Sequence, residues 1–79
     1  MSYFSEIDLH GYTAAQAKAV LDSTMKTLSK DVRELTVIHG YHGGTALMNM
    51  VRNYKHPRLE RKILGMNQGS TIFILKNKV

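Results

Sequence analysis

Two histidines and an aspartate in this sequence have the residue types and positions of an acid–base site. Asp8 and His10 lie two residues apart in the segment 6–10, where polar and apolar residues alternate as in a half-buried strand. Their side chains therefore leave the predicted strand on the same side. His39 follows a second β-rich segment, residues 34–38, and both segments run into a His-Gly pair. A carboxylate beside imidazoles can transfer protons near neutral pH, because histidine titrates there. A polar residue that merely caps a turn is the alternative at each position.

The elements that must bring these side chains together follow from the hydrophobic periodicity. Thr13 is a suitable N-cap with Gln16 at the capping-box spacing, and apolar residues recur at helical spacing from 14 to about 29. A strand, a helix and a second strand in this order predict a parallel pair joined by a crossover. The carboxyl ends of such strands meet at one edge of a sheet. We therefore expect the aspartate and the two histidines to converge there, open to solvent.

The rest of the chain predicts a second helix and two further strands. Residues 45–55 carry apolar side chains at helical spacing, and the helix must stop before Pro57. Residues 58–66 and 70–76 predict strands of an antiparallel hairpin, since a short glycine-containing connection separates them. The order β-α-β-α-β-β places the chain in the α/β class, as an α+β two-layer sandwich. We expect one domain over residues 1–79, with a four-stranded mixed sheet and two helices on one face.

The segment between the second strand and the second helix is a candidate phosphate-binding loop. Glycines allow the backbone to approach a ligand closely, and the helix beginning near Thr45 offers free amides. The loop is neither a Walker loop nor a dinucleotide fingerprint, because the lysine and the three-glycine spacing are missing. A flexible strand-to-helix turn is the alternative. The candidate residues that follow His39 are Gly40, Tyr41, His42, Gly43 and Gly44.

The net charge of +5 is unevenly distributed along the chain. Residues 1–39 contain four cationic and five acidic residues, whereas residues 40–79 contain seven cationic residues against Glu60 alone. Tyr41 and Tyr54 could stack on unpaired bases, as aromatic side chains do in single-strand binders. A solvated face, with Tyr54 partly in the core, is the alternative. Five cations fall within eleven residues and form a predicted basic strip for nucleic-acid phosphates: Arg52, Lys55, Arg58, Arg61 and Lys62.

Several classes of protein and site are excluded or disfavoured by composition. The absence of cysteine excludes disulfides, thiolate zinc sites and a cysteine nucleophile. His39, His42 and Asp8 are too few for a closed metal site, so we predict none, whereas Mg²⁺ held between Asp8 and a substrate phosphate remains open. The longest apolar run, 72–75, is too short to cross a membrane, and residues 1–10 do not form a secretory signal. We therefore expect a cytoplasmic protein.

The motifs resemble those of the Smr domain, the small MutS-related domain. Residues 7–11, IDLHG, resemble the LDLHG motif that opens this domain, and residues 39–44 resemble its His-Gly-x-Gly-x-Gly signature. The tail of the second helix, Lys55 to Arg58, also resembles the family, so the resemblance covers about residues 6–76. His42 departs from it, because it stands where the middle glycine is usual, and the loop is about one residue longer before Leu47.

This resemblance implies both a fold and an activity. The fold would be similar to the C-terminal domain of bacterial translation initiation factor three. The activity would be nucleic-acid binding and, as in several relatives, an endonuclease that nicks DNA or cuts RNA. By motif match, Asp8 and His10 take the places of the family's acidic and histidine active-site residues, and His39 takes that of the histidine in the glycine motif.

Three functions remain open at the level of sequence. The first is an endonuclease, and the second is a module that binds nucleic acid without cutting it. The third is a protein-interaction domain, favoured if the basic strip is dispersed in the fold. DNA and RNA are not distinguished, because phosphates and unpaired bases are common to both. We expect a monomer that finds its substrate through its own charge or through a partner protein.

Overall fold

A computed structural model describes residues 3–40, 46–65 and 69–76, and all elements named below lie within these ranges. The predicted order of strands and helices is confirmed, although several ends differ by one or two residues. The elements are β1 (Phe4–Asp8), α1 (Ala14–Thr27), β2 (Glu34–Ile38), α2 (Ala46–Asn53), β3 (Leu59–Leu64) and β4 (Ser70–Leu75). The largest shift concerns β1, which starts two residues earlier than expected and ends at Asp8. His10 therefore lies in the turn after the strand.

The four strands form one mixed sheet in the order β1-β2-β4-β3. β1 and β2 are parallel, as the crossover predicts, and β3 and β4 are antiparallel, as the hairpin predicts. β4 also pairs antiparallel with β2, so the last strand occupies a central position. Its sequence, STIFIL, carries apolar side chains on both faces, as expected for a strand with a neighbour on each side.

Helix α1 begins where its capping residues predict. The Thr13 hydroxyl accepts a hydrogen bond from the Gln16 amide at 3.1 Å, and the Gln16 side-chain oxygen accepts one from the Thr13 amide at 3.0 Å. This reciprocal pair is the predicted capping box. One face of the helix then packs into the core through Ala17, Leu21 and Met25, which recur every four residues.

The core lies between the sheet and the two helices. Leu35 and Val37 of β2 and Phe73 of β4 are buried and contribute to the same cluster as Leu21 of α1 and Val51 of α2. The residues between them in the strands belong to the other face of the sheet, since strand side chains alternate. That second face is only partly covered: Thr36, Ile38, Ile72 and Ile74 are of intermediate exposure. The arrangement is the predicted two-layer sandwich, with one open sheet face.

Candidate acid–base site and nucleic-acid interface

Asp8 and His10 form a hydrogen-bonded pair at the carboxyl end of β1. The His10 ring nitrogen Nδ1 lies 2.6 Å from Asp8 Oδ1, and the same oxygen accepts the His10 backbone amide at 3.0 Å. Leu9, between them, is fully buried, so the two polar side chains lie on the opposite, open side. The imidazole is 72% exposed and the carboxylate 49% exposed. The prediction that the two side chains share one side is confirmed, and both are accessible to a substrate.

The Asp8 carboxylate determines which ring nitrogen of His10 carries the proton. The hydrogen bond from the His10 ring, with a second from the His10 amide, holds the pKa of Asp8 below its ordinary value of 3.8. Asp8 is therefore an ionised acceptor at neutral pH, and Nδ1 is the ring nitrogen that donates to it. In the neutral ring the other nitrogen, Nε2, then carries the free lone pair. An exposed Nε2 of this kind can accept a proton from a hydroxyl group.

His39 lies on the other side of the sheet from Asp8. It continues the alternation of Leu35 and Val37 towards the helices and is only 5% exposed. Asp8 is instead opposite Ile38 in the β1–β2 register, on the open face. The expectation that His39 opens to solvent beside the other two side chains is therefore wrong. The alternation of apolar residues, which continues beyond the end of β2, is the physical reason.

Both ring nitrogens of His39 are engaged in hydrogen bonds. Nδ1 lies 2.9 Å from the Gly40 carbonyl oxygen, and Nε2 lies 3.1 Å from the Thr71 hydroxyl. A carbonyl only accepts, so Nδ1 donates to it, and in the neutral ring Nε2 accepts from Thr71. Thr71 is itself buried and belongs to β4. His39 therefore joins the end of β2 to β4 and fixes the carbonyl of the first glycine of the loop.

Gly40 adopts a conformation that favours glycine and lies next to His10. Its φ is +74°, in the left-handed region where a Cβ atom causes strain. A Cβ built there would lie 3.5 Å from His10 Cβ, so the two backbones are close. The amides of His39 and Gly40 both donate to the Gly69 carbonyl at 2.9 Å. The start of the predicted phosphate loop is thus placed beside the imidazole. The other loop candidates, Tyr41, His42, Gly43 and Gly44, lie outside the described residues.

The predicted basic strip is divided in the fold. Arg58 donates through Nη1 to the Leu28 carbonyl at 2.6 Å and through Nη2 to the Ser29 carbonyl. These are the carbonyls at the end of α1, where cations stabilise the helix terminus. Arg58 therefore has a structural role, which its position in the sequence does not reveal.

The Lys62 side chain is also hydrogen-bonded to a backbone carbonyl at the end of a helix. Its Nζ donates to the Arg52 carbonyl at 2.6 Å, and partial burial, with the nearby charge of Lys55, lowers its pKa. Lys62 lies opposite Phe73 on the helix side of the sheet, whereas Arg61 lies opposite Ile74 on the open side. The expectation of one continuous strip is therefore wrong. Three of its cations remain exposed: Arg52, Lys55 and Arg61.

Tyr54 belongs to the core and is not available to stack on a base. It is 4% exposed, and its ring lies nearly parallel to Phe73 with centroids 5.8 Å apart. Its hydroxyl donates to Asp22 Oδ1 at 2.6 Å. Burial, with the charge of Asp22, raises the pKa of Tyr54, and the Tyr54 hydroxyl together with Lys18 lowers the pKa of Asp22. The alternative that placed Tyr54 in the core is the correct one.

The described residues contain neither a cluster of three metal-ligating side chains nor a membrane-spanning helix. Among residues 3–40, 46–65 and 69–76, no group of three or more histidine, cysteine or acidic side chains is placed to hold a metal ion. Within the same ranges, no helix has the length and apolar character that a membrane span requires.

Two residues near the site have no identifiable signal in the sequence. Thr71 and Gly69 belong to the predicted hairpin, but nothing in their types shows that they bind the end of β2. The burial of His39 could have been predicted from the sequence. Leu35, Val37 and His39 are alternate residues, so they lie on the same face of the sheet. The His-Gly pairs after β1 and β2 look alike in sequence. The two histidines nevertheless differ by one residue in how far each lies from the last buried residue before it.

Comparisons with known proteins agree with this architecture. The family profile described as Smr domain matches residues 7–71. Among solved structures, the Smr domain of Thermus thermophilus MutS2 is similar, with a TM-score of 0.79 and 25% sequence identity. The similarity covers 91% of this chain and 98% of that one. Among curated proteins, none matches the chain in sequence.

Proposed function

This chain belongs to the Smr domain family, whose members are generally nucleic-acid-binding and nuclease-like, and on that premise we propose that it binds nucleic acid and cleaves its phosphodiester bonds. The observation that carries the proposal is the exposed Asp8–His10 pair, with Nδ1 and Oδ1 2.6 Å apart. The carboxylate fixes the imidazole with one nitrogen outward, and the imidazole stands beside the first glycine of the loop.

In the proposed reaction, His10 acts as the general base. Its Nε2 takes the proton from an attacking hydroxyl, either water or an RNA 2′-hydroxyl, as the oxygen bonds to phosphorus. The bond from phosphorus to the leaving oxygen breaks, and that oxygen receives a proton from the imidazolium or from solvent. Asp8 stabilises the imidazolium through the hydrogen bond to Nδ1. His39 is a positioning residue in this scheme, since it acts through the Gly40 carbonyl.

The proposed binding surface is smaller than the sequence suggests. Arg52, Lys55 and Arg61 are exposed, whereas Arg58 and Lys62 are bound to backbone carbonyls. Three phosphate contacts predict that log affinity falls with log salt at a slope of about −2 on single strands, against about −3.5 for five contacts. Fluorescence anisotropy of a labelled single-stranded oligonucleotide, measured over a salt series, gives this slope. A slope at or beyond −3.5 would show that cations besides these three also bind phosphate.

The proposal includes no step through a metal ion. Asp8 Oδ1 already accepts two hydrogen bonds from His10, and no group of three or more metal-ligating side chains lies among the described residues. Participation of Mg²⁺ together with a substrate phosphate is tested by running the reaction with Mg²⁺ and with EDTA.

The deciding experiment incubates purified protein with labelled single-stranded RNA, duplex DNA and supercoiled plasmid. His10→Ala, purified in the same way, is the matched control, because a contaminating nuclease would persist in it. We expect cleavage of at least one substrate by the wild type and a large loss in the variant. Equal cleavage by both proteins would contradict the assigned site.

A protein-interaction domain is the second candidate, and the division of the basic strip is the observation that favours it. Binding separates the two candidates. Absence of binding to all three substrates at low salt would remove nucleic acid as the partner. Binding without cleavage would leave a module that holds nucleic acid without cutting it.

A further inference from the structure

A groove of about 530 Å³ lies at the C-terminal end of α1, where it is bordered by the turn before β3 and by the residue after β4. Its volume is within the range of small-molecule sites. Its lining contains four cations, and two of them come from the acidic first half of the chain. The four are Lys26, Lys30, Arg58 and Lys76. The fold thus collects charges that the sequence disperses.

The groove is distant from the Asp8–His10 pair. Helix α1 starts shortly after His10 and ends beside the groove. Its fourteen residues correspond to a length of about 21 Å. The groove is therefore a separate surface at the other end of the helix.

The walls of the groove are suited to an anion. The carbonyls at the end of α1 carry partial negative charge, but the Arg58 guanidinium binds those of Leu28 and Ser29. Asp22 is the carboxylate among the lining residues, and its oxygens already accept hydrogen bonds from the Tyr54 hydroxyl and from Lys18. The remaining potential is therefore positive.

The three lysines of the groove have ammonium groups that can bind a ligand. Lys26, Lys30 and Lys76 are exposed, and none of their ammonium groups is hydrogen-bonded or ion-paired to another described residue. Each ammonium group can donate to phosphate oxygens as a point charge. Leu28 and Pro57 supply the accessible apolar lining, and the buried Met25 and the ring of His56 also border the groove.

We propose that this groove binds a terminal nucleotide of a nucleic-acid strand. The base lies against Leu28 and Pro57, and the phosphate lies among Lys26, Lys30 and Lys76. The proposal rests on the nucleic-acid function proposed above and adds a second contact to it, about one helix length from the site of cleavage.

A nucleotide fits these features better than an acidic peptide does. A peptide that bound by adding a strand would need free backbone groups, whereas the adjacent backbone is already paired: the Lys76 amide donates to the Arg58 carbonyl at 2.8 Å and the Leu28 amide to the Thr24 carbonyl at 2.8 Å. An apolar lining accompanied by several lysines instead matches one planar base with one phosphate.

The test follows the methionine methyl groups by NMR in protein labelled with ¹³C-methyl methionine. Met25 reports on the groove, whereas Met48 and Met50 of α2 are internal controls. The probes are adenosine 5′-monophosphate, adenosine and inorganic phosphate. We expect the monophosphate to shift the Met25 resonance at the lowest concentration, because it alone supplies both base and phosphate.

Variants then assign the phosphate contacts. Lys30→Gln combined with Lys76→Gln should weaken adenosine 5′-monophosphate by roughly tenfold or more, the loss expected for hydrogen bonds to a charged group. Arg33→Gln removes an exposed cation that does not line the groove and should leave this titration unchanged. A double variant that binds the monophosphate as tightly as the wild type would overturn the proposal.

An oligonucleotide titration separates failure of the groove from failure of the proposed function. If the oligonucleotide shifts the His10 ring resonances but leaves Met25 unmoved, the groove proposal is wrong and the proposed function stands. If it shifts neither, both are wrong. If an acidic peptide shifts Met25 and the monophosphate does not, the groove binds a protein partner and the nucleotide proposal is overturned.

Discussion

His10 and His39 occupy similar positions in the sequence but entirely different environments in the fold. Each precedes a glycine just beyond a strand of the same parallel pair. His10 is exposed and has one ring nitrogen bound to a carboxylate, whereas His39 is buried and has both bound, to a carbonyl and a hydroxyl. Chemistry needs a nitrogen that a substrate can reach. In the proposed function, proton transfer therefore belongs to His10, whereas His39 holds the Gly40 carbonyl.

The largest expected difference between the two is in the rate of cleavage. His10→Ala removes the proposed general base and should lower the rate by roughly 10²–10⁴-fold. Oligonucleotide affinity should change far less, since Arg52, Lys55 and Arg61 are untouched. Single-turnover cleavage and anisotropy binding on the same substrate measure the two quantities. Parallel losses in rate and affinity would mean that His10 only grips the strand.

Asp8→Asn tests whether the carboxylate supports the imidazole. The amide keeps an oxygen acceptor but loses the charge, so cleavage should fall by about 10–100-fold, because a hydrogen bond to a charged group is stronger than one to a neutral group. The fold should persist, because Asp8 is half exposed and lies on the open face. A rate equal to that of the wild type, with an unchanged circular dichroism spectrum, would remove Asp8 from the mechanism.

His39→Ala should act mainly on stability. It leaves the buried Thr71 hydroxyl without its partner, and an unsatisfied buried group costs about 1–3 kcal/mol. Thr71→Val removes the same hydrogen bond from the other side and is the matched comparison. Urea unfolding measures both, and His10→Ala should lie within about 0.5 kcal/mol of the wild type. A His39→Ala protein of unchanged stability would break the contrast between the two histidines.

The smallest expected effect is on acid stability. The folded state lowers the pKa of Asp8 below 3.8, so the contribution of Asp8 is present above about pH 4 and is lost as the pH falls through the folded pKa. The stability difference between wild type and Asp8→Asn should therefore shrink below pH 4. Thermal unfolding from pH 7 to pH 2 shows this. Asp22→Asn is the control for acid sensitivity arising elsewhere, because the pKa of Asp22 is also lowered. A difference that is constant over this range would contradict the role of the hydrogen bonds from His10.

The parts of the fold set by local pattern could be predicted from the sequence. The capping box at Thr13 and the β3–β4 hairpin rest on residues close together in the chain, and the β1–β2 crossover follows from the order strand, helix, strand. The Asp8–His10 pair belongs to the same class, because its geometry needs only two residues. Contacts between distant segments could not be predicted in this way. Arg58 lies near other cations in the sequence, yet its side chain binds carbonyls about thirty residues earlier.

The central position of β4 has a consequence for synthesis of the protein. β4 joins the parallel pair to β3, and the Gly69 carbonyl just before it receives the amides of both His39 and Gly40. Until residues 69–75 have been extruded, a nascent chain therefore has no strand to pair with the open edge of β2 and no acceptor for the amides of His39 and Gly40. Domains fold as units during translation. We expect the sheet and the turn at Gly40 to become ordered together, when β4 leaves the ribosome.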